Sequence, residues 1–255
     1  MYLETITISI NYPDYLDRIA VNAKHFDRWL IVTHEDDRRT IDVCRRNKLE
    51  FLVSKRIHEN GAVFAKGKAI NEGLRQLEQK NWLLHMDSDI LLPSDFREML
   101  ESESLDAACI YGMAERRIAL KESHIKRSRF PRTLVSTEIL GFFQLFHSSR
   151  MSRYPEVSTD PSLDDQIFTS SWPEERRIIM DAGCIHLGEP RLNWNKRVTP
   201  RFGAVLNRHT LLRYCKMGLR SILRGGSTPT PEDEPLASTA NSTGRSCNSG
   251  ETFKR

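Results

Sequence analysis

The chain of 255 residues lacks the marks of several large protein classes. No uncharged apolar run approaches the roughly 20 residues needed to cross a bilayer, so an integral membrane protein is not expected. Met1 to Ile10 shows no basic segment followed by an apolar one, so no secretory signal is expected and the setting reads as cytoplasmic. The five cysteines (Cys44, Cys109, Cys184, Cys215 and Cys247) are odd in number and scattered, with no CxxC pair. This argues against zinc ribbons and thioredoxin-like redox sites and for reduced thiols. Excess charge is also scarce: 38 Lys and Arg stand against 34 Asp and Glu, a net of +4. That balance gives no case for nucleic acid as a partner but suits anionic substrates such as phosphates. No internal repeat is visible.

What is present is a chain long enough for a single α/β domain. Leu3 to Ile10 alternates Ile6, Ile8 and Ile10 with Thr and Ser, which predicts a strand. Asn11-Tyr12-Pro13-Asp14 is a turn, and a helix is expected over Tyr15 to Phe26. Trp29 to Thr33 and Phe51 to Ser54 are expected strands, with a helix over Thr40 to Asn47 between them. Gly61 to Gly67 reads as a loop. Ile70, Leu74 and Leu77 then recur at helical spacing within Lys68 to Gln79. Trp82 to Met86 is a near-continuous apolar run, as in a strand covered on both faces. This order predicts a mostly parallel central sheet flanked by helices. Further on, a helix is expected over Ser94 to Glu103 with Ser94 as its N-cap. Ala107 to Tyr111 is an expected strand, and Glu115 to Arg132 a polar, basic loop or exposed helix. A strand is expected over Leu140 to His147, a short helix over Asp164 to Ser171, and short strands over Ile178 to Met180 and Cys184 to Gly188.

The sharpest feature is Asp87-Ser88-Asp89, directly after the apolar run Leu83-Leu84-His85-Met86. Carboxylates at the end of a buried strand need compensation, and open α/β sheets bind ligands at the carboxyl ends of their strands. Hard oxygen ligands suit Mg2+ or Mn2+, and Mg2+ commonly takes one or two carboxylates together with substrate phosphates. The competing reading is a solvated turn with helix-capping aspartates.

On these residues the chain resembles the GT-A-fold glycosyltransferases, most closely the family 2-like members. Asp87-Ser88-Asp89 resembles their DxD motif, which bridges a metal to the diphosphate of a nucleotide sugar. Lys66-Gly67-Lys68-Ala69-Ile70-Asn71-Glu72-Gly73 resembles the helix before that motif, commonly written GKAxALNxG. Asp164-Asp165-Gln166 resembles the ED-type motif of the catalytic base. The resemblance covers about residues 3 to 200. It departs at the family's QxxRW-like segment, where the chain reads Leu192-Asn193-Trp194-Asn195-Lys196-Arg197.

The resemblance implies a nucleotide-sugar donor, expected to be a UDP-sugar, and a glycan or other hydroxyl acceptor. Asp87 and Asp89 would hold Mn2+ or Mg2+. His186 is a candidate third ligand, and a packed histidine is the alternative. Asp165 would be the base, with Asp164 orienting substrate or capping the helix. Lys68, rather than Lys66, is the lysine expected at the diphosphate. Asp36 and Asn11 are expected at the nucleotide, with Glu35 and Asp37 competing for the role of Asp36. Gln144 and Trp194 are candidates for contact with sugar.

Val205 to Arg224 places Leu212, Cys215, Leu219 and Leu223 on one helical face beside Arg213, Lys216, Arg220 and Arg224. It is expected to close the domain at residue 224, docked on the core, with peripheral membrane contact as the alternative. In residues 225–255, 17 of 31 residues are Gly, Ser, Thr or Pro, which predicts a disordered tail. Two rival functions remain open, a nucleotidyltransferase and a non-catalytic nucleotide-binding or sugar-binding module. The first lacks support at the first strand, which carries no Gly-rich loop followed by Arg and Lys.

Overall fold

The alternation of apolar and amphipathic segments builds an α/β sheet in the computed structural model, which describes residues 1–62, 64–150, 153–156 and 161–188. Strands β1 (Leu3–Ile8), β2 (Arg28–Thr33), β3 (Glu50–Val53) and β4 (Trp82–Met86) pair in parallel in the order β3-β2-β1-β4. The helices α1 (Pro13–Ile19), α2 (Arg38–Arg46) and α3 (Lys66–Leu74) make the crossovers. Every residue of β4 is buried, as its unbroken apolar run requires of a strand covered on both faces.

The second half adds β5 (Ile90–Leu91), α4 (Phe96–Ser102), β6 (Ile110–Ala119), α5 (Glu122–Lys126), β7 (Arg132–Val135), β8 (Phe143–His147), α6 (Pro161–Ser170) and β9 (Arg177–Leu187). The sheet continues β4-β8-β6-β9-β5, with β7 paired to β6. β5, β7 and β8 run against their neighbours, and the other six strands share one direction. The expected mostly parallel sheet flanked by helices is therefore present.

Alternation along β4 splits the core into two faces. Leu84 and Met86 pack with Tyr15, Phe96 and Phe143, whereas Leu83 packs with Ile6, Ile70, Tyr154 and Phe168. Fully burying an aliphatic side chain of this size stabilises by about 1.5–3 kcal/mol, so these two layers anchor the strand that ends in the DxD.

Several local expectations are corrected. The helix expected to reach Gln79 ends at Leu74, because the buried Glu4 carboxylate of β1 accepts the backbone N–H of Glu78 (2.8 Å) and of Gln79 (2.6 Å) and turns the chain toward β4. The helix expected over Tyr15 to Phe26 divides into α1 and a 3-10 segment, Ala20–His25. The N-cap of α4 is Asp95 rather than Ser94, and it makes no side-chain capping bond. The strand expected to end at Tyr111 runs on to Ala119, because Glu115, Arg116 and Arg117 lie on a partly exposed ribbon paired with β7 and β9, where their charged ends can reach solvent or a partner. No described helix is long and apolar enough to cross a membrane. Trp194 and the segments 205–224 and 225–255 lie outside the described residues.

Candidate active site

The site forms where β4 ends. Lys66, at the first position of α3, turns inward until its side chain is 5% exposed. Its Nζ donates to Asp87 Oδ1 at 3.2 Å, to Asp165 Oδ2 at 2.9 Å and to the Gly141 carbonyl at 3.4 Å. One ammonium thus joins the DxD to an aspartate on α6 that is 99 residues away in sequence. Asp87 remains 38% exposed at its side chain and Asp165 13%.

The electrostatics follow from this crowding. Burial alone would weaken the proton affinity of Lys66, but Asp165 and Asp87 outweigh it and raise the affinity, so the lysine is charged. Burial raises the carboxyl of Asp87; Lys66 opposes the rise and Asp89 adds to it. Burial likewise raises Asp165, with Lys66 opposing and Asp87 adding. Two carboxyl groups, Asp87 and Asp165, share one ammonium, with Asp89 acting on Asp87 from the other side, so a further cation would offset negative charge that Lys66 alone does not balance.

Two glycines make the approach of these groups possible. A Cβ on Gly141 would lie 1.7 Å from Asp165 Oδ2, so the carboxylate occupies the space a side chain would need. A Cβ on Gly67 would lie 1.7 Å from the Pro155 carbonyl oxygen, so α3 could not meet the segment 153–156. Lys68 takes a different direction from Lys66. Two residues along a helix turn the side chain by about 200°, so when Lys66 faces the DxD, Lys68 faces away and pairs with Glu59 at 2.7 Å.

At the other carboxylate, β5 pairs with β9 so that Ile90 lies opposite His186, and the Leu187 N–H donates to the Asp89 carbonyl at 2.8 Å. This register brings His186 Nε2 to 3.7 Å from Asp89 Oδ2. His186 Nδ1 lies 3.4 Å from the Gly188 carbonyl, and donating there would leave Nε2 as the lone-pair nitrogen facing Asp89. No group of three or more His, Cys, Asp or Glu forms a ready metal cluster among the described residues. The donor chemistry nevertheless fits a divalent cation: a carboxylate and an imidazole face each other, and Asp87 could join them if Lys66 released it. Mn2+ accepts this mixture of oxygen and imidazole, and substrate phosphates commonly complete such sites.

The remaining candidates distribute unevenly. Asn11, with a left-handed φ of 59°, follows β1, and its N–H donates to Asp37 Oδ2 at 2.6 Å. Asp37 is buried and caps α2 by accepting the Thr40 N–H, whereas the Asp36 side chain is 89% exposed and turned to His34. The acid held against the β1 turn is therefore Asp37, not Asp36. Gln144 is fully buried within β8, where it bonds His85, Tyr154 and Thr169, one layer behind Asp165. Asp164 is buried on α6 and faces Gly67.

Sequence reasoning misses Tyr154 and Asn71. The Tyr154 hydroxyl forms a short hydrogen bond with Asp165 Oδ1. The Asn71 amide brackets the Tyr154 backbone, accepting its N–H at 2.9 Å and donating to its carbonyl at 2.8 Å. Nothing near Tyr154 in the sequence marks it, although Asn71 lies within the motif that begins at Lys66.

No family model matches the chain, and no curated protein matches it in sequence. Solved structures do match. The mannosyltransferase PcManGT from Pyrobaculum calidifontis, in complex with GDP-Man and Mn2+, is 15% identical with a TM-score of 0.50; the match covers 89% of this chain and 65% of that one. The chain thus spans about two thirds of the length of that enzyme. Mannosyl-3-phosphoglycerate synthase from Rubrobacter xylanophilus is 12% identical with a TM-score of 0.48, covering 90% of this chain and 77% of that one. A 4-diphosphocytidyl-2C-methyl-D-erythritol synthase is 12% identical with a TM-score of 0.45, covering 85% of this chain and 100% of that one. At such identities the likeness is one of architecture. The chain has the GT-A-like α/β fold seen in nucleotide-diphospho-sugar transferases.

Proposed function

We propose that the protein is a metal-dependent glycosyltransferase that moves a sugar from a nucleoside diphosphate donor, a UDP-sugar by expectation, to an acceptor hydroxyl with inversion. The observation that carries this reading is the convergence of Lys66, Asp87 and Asp165 at the end of β4, with Asp89 and His186 beside them. Asp87, Asp89 and His186 would hold Mn2+ or Mg2+. When bound, the cation would neutralise charge gathering on the leaving diphosphate. Lys66 adds a fixed positive charge on the same side. Asp165 takes the proton as the acceptor O–H bond breaks. The acceptor oxygen then bonds to the anomeric carbon, and the electron pair of the breaking C–O bond leaves with the diphosphate.

The test is calorimetry and turnover across a panel of UDP- and GDP-sugars. Nucleotide binding is expected only with Mn2+ or Mg2+ present, and Asp89→Ala should abolish it. Undiminished transfer by Asp89→Ala in the presence of chelator would sink the reading. Pyrophosphate release from a nucleoside triphosphate would assign nucleotidyl transfer instead. Metal-dependent binding without turnover of any donor would leave a binding module.

A further inference from the structure

We propose that Tyr154 is the positioning residue of the candidate base: its hydroxyl holds Asp165 Oδ1 while Asn71 fixes its backbone, so that α3 governs both oxygens of Asp165. The proposal rests on the reading of Asp165 as the base.

The geometry separates this role from simple packing. Lys66 and Asn71 both belong to α3. The first reaches Asp165 Oδ2 directly, and the second reaches Oδ1 through Tyr154. The Tyr154 ring is stacked on Phe168 of α6, with centroids 4.3 Å apart and planes at 24°, and meets His85 edge-on at 5.6 Å. The ring is therefore clamped between the helix that carries Asp165 and the strand that leads into the DxD. The charged or titratable groups facing Asp165 are Lys66 from α3, Asp87 from the end of β4, and Tyr154. Asp164 lies beside it on α6.

A proton count then assigns the hydroxyl two positions. Gln144 Nε2 donates to Thr169 Oγ1 at 2.9 Å and to the Asp165 carbonyl at 3.3 Å, which fixes the amide with Oε1 toward Tyr154. That oxygen lies 2.8 Å from the Tyr154 hydroxyl and 3.2 Å from His85 Nδ1. The phenol has one proton and two acceptors, Gln144 Oε1 and Asp165 Oδ1. While Asp165 is a carboxylate, the phenol donates to it, and His85 satisfies Gln144. Once Asp165 has taken the acceptor proton, the acid can donate to the phenol oxygen and the phenol turns to Gln144. A base must pass between these two states in each turnover, and this arrangement supplies a hydrogen-bond partner for each without moving a heavy atom. A phenylalanine would pack equally well and serve neither state.

The experiment follows the Asp165 carboxyl by NMR of protein labelled with 13C-aspartate, its signal assigned with Asp165→Asn. Three proteins are compared, the parent chain, Tyr154→Phe, and the chain carrying fluorotyrosine at position 154. Tyr154→Phe should move the Asp165 titration up by about one pH unit, the scale of one lost hydrogen bond to a charged group. The fluorinated, more acidic phenol should move it down. With the donor that turns over, Tyr154→Phe should lower kcat about tenfold and leave the donor KM unchanged, since a lost base partner affects chemistry and not donor binding. Coincident titrations in all three proteins would overturn the proposal. If Tyr154→Phe fails to fold, the fluorotyrosine protein decides alone, because its shape is nearly unaltered. Turnover by Asp165→Asn at the parent rate would overturn the base assignment instead, and the titrations would still report on Tyr154.

Discussion

Replacing Lys66 with methionine removes the ammonium and keeps most of the side-chain volume, so it isolates the charge. In the folded protein Lys66 is the shared partner of Asp87 and Asp165. Removing one partner from a fully buried ion pair costs about 3–5 kcal/mol. Asp87 opens to solvent over 38% of its side chain, and screening there discounts its share, leaving about 2–3 kcal/mol for the variant. For a domain of this size 1 kcal/mol moves Tm by about 2–4 °C, so a fall of about 4–12 °C is expected at pH 8. The loss should depend on pH. Both carboxyls already bind protons more tightly in the folded than in the unfolded chain, and without Lys66 this difference grows. A group whose folded affinity for protons is raised makes the folded state lose stability as pH rises from the unfolded pKa through the folded one. Lys66→Met should therefore approach the parent at pH 4–5 and fall furthest behind at pH 8. Urea unfolding at both pH values, with m unchanged, is the assay. A variant equal to the parent at pH 8, or one whose deficit is the same at both pH values, would refute the placement of Lys66 between two carboxylates.

Three further outcomes are expected. Gly141→Ala puts a Cβ where the Asp165 carboxylate lies, so sugar transfer should be lost while metal-dependent nucleotide binding, measured by calorimetry, survives; retained transfer would show that Asp165 need not occupy that place. Glu156 carries a burial cost, but Asn71, Arg56 and Arg153 hold its carboxyl down from 4.5 to about 2, which corresponds to about 3 kcal/mol at most, less some screening. Because the folded value is depressed, that stability is present above about pH 4.5 and is lost as pH falls toward 2; Glu156→Gln should unfold more easily at pH 7 and match the parent near pH 2, and equal unfolding midpoints at pH 7 would remove Glu156 from the account. Burial pushes the thiols of Cys44 and Cys184 up to about 12, so iodoacetamide at pH 8 should label them in denaturant and not in the native protein, as read by mass spectrometry; native labelling at the denatured rate would contradict their burial.

Some of the site is legible in the sequence because it is encoded locally. The apolar run Trp82 to Met86 marks a buried strand, and the carboxylates that follow it have to sit at its end. The motif beginning at Lys66 is legible as a helix leading to the strand, but not which of its two lysines meets the DxD. Sequence similarity weights Lys68, whereas the rotation of the helix decides which lysine faces the strand. That Asp37 rather than Asp36 caps the following helix is likewise hidden, because composition does not say which acid of a charged loop turns inward. Gln144 carries the right chemistry for a sugar contact, but β8 pairs with β4 in the register Gln144 to His85 and so buries it completely.

The sequence by itself determined the element order of the first half, the buried central strand and the position of Asp87 and Asp89 at its end, because periodicity and turn chemistry act between near neighbours. Only the tertiary structure decided which groups meet those carboxylates. Lys66 and Asp165, Tyr154 and Asn71, and Asp89 and His186 are far apart in the chain and are joined by strand register and helix packing. The glycines at 67 and 141 set how closely those elements approach. Their spacing in the sequence carries no trace of that distance, because it is fixed by atoms from other parts of the fold.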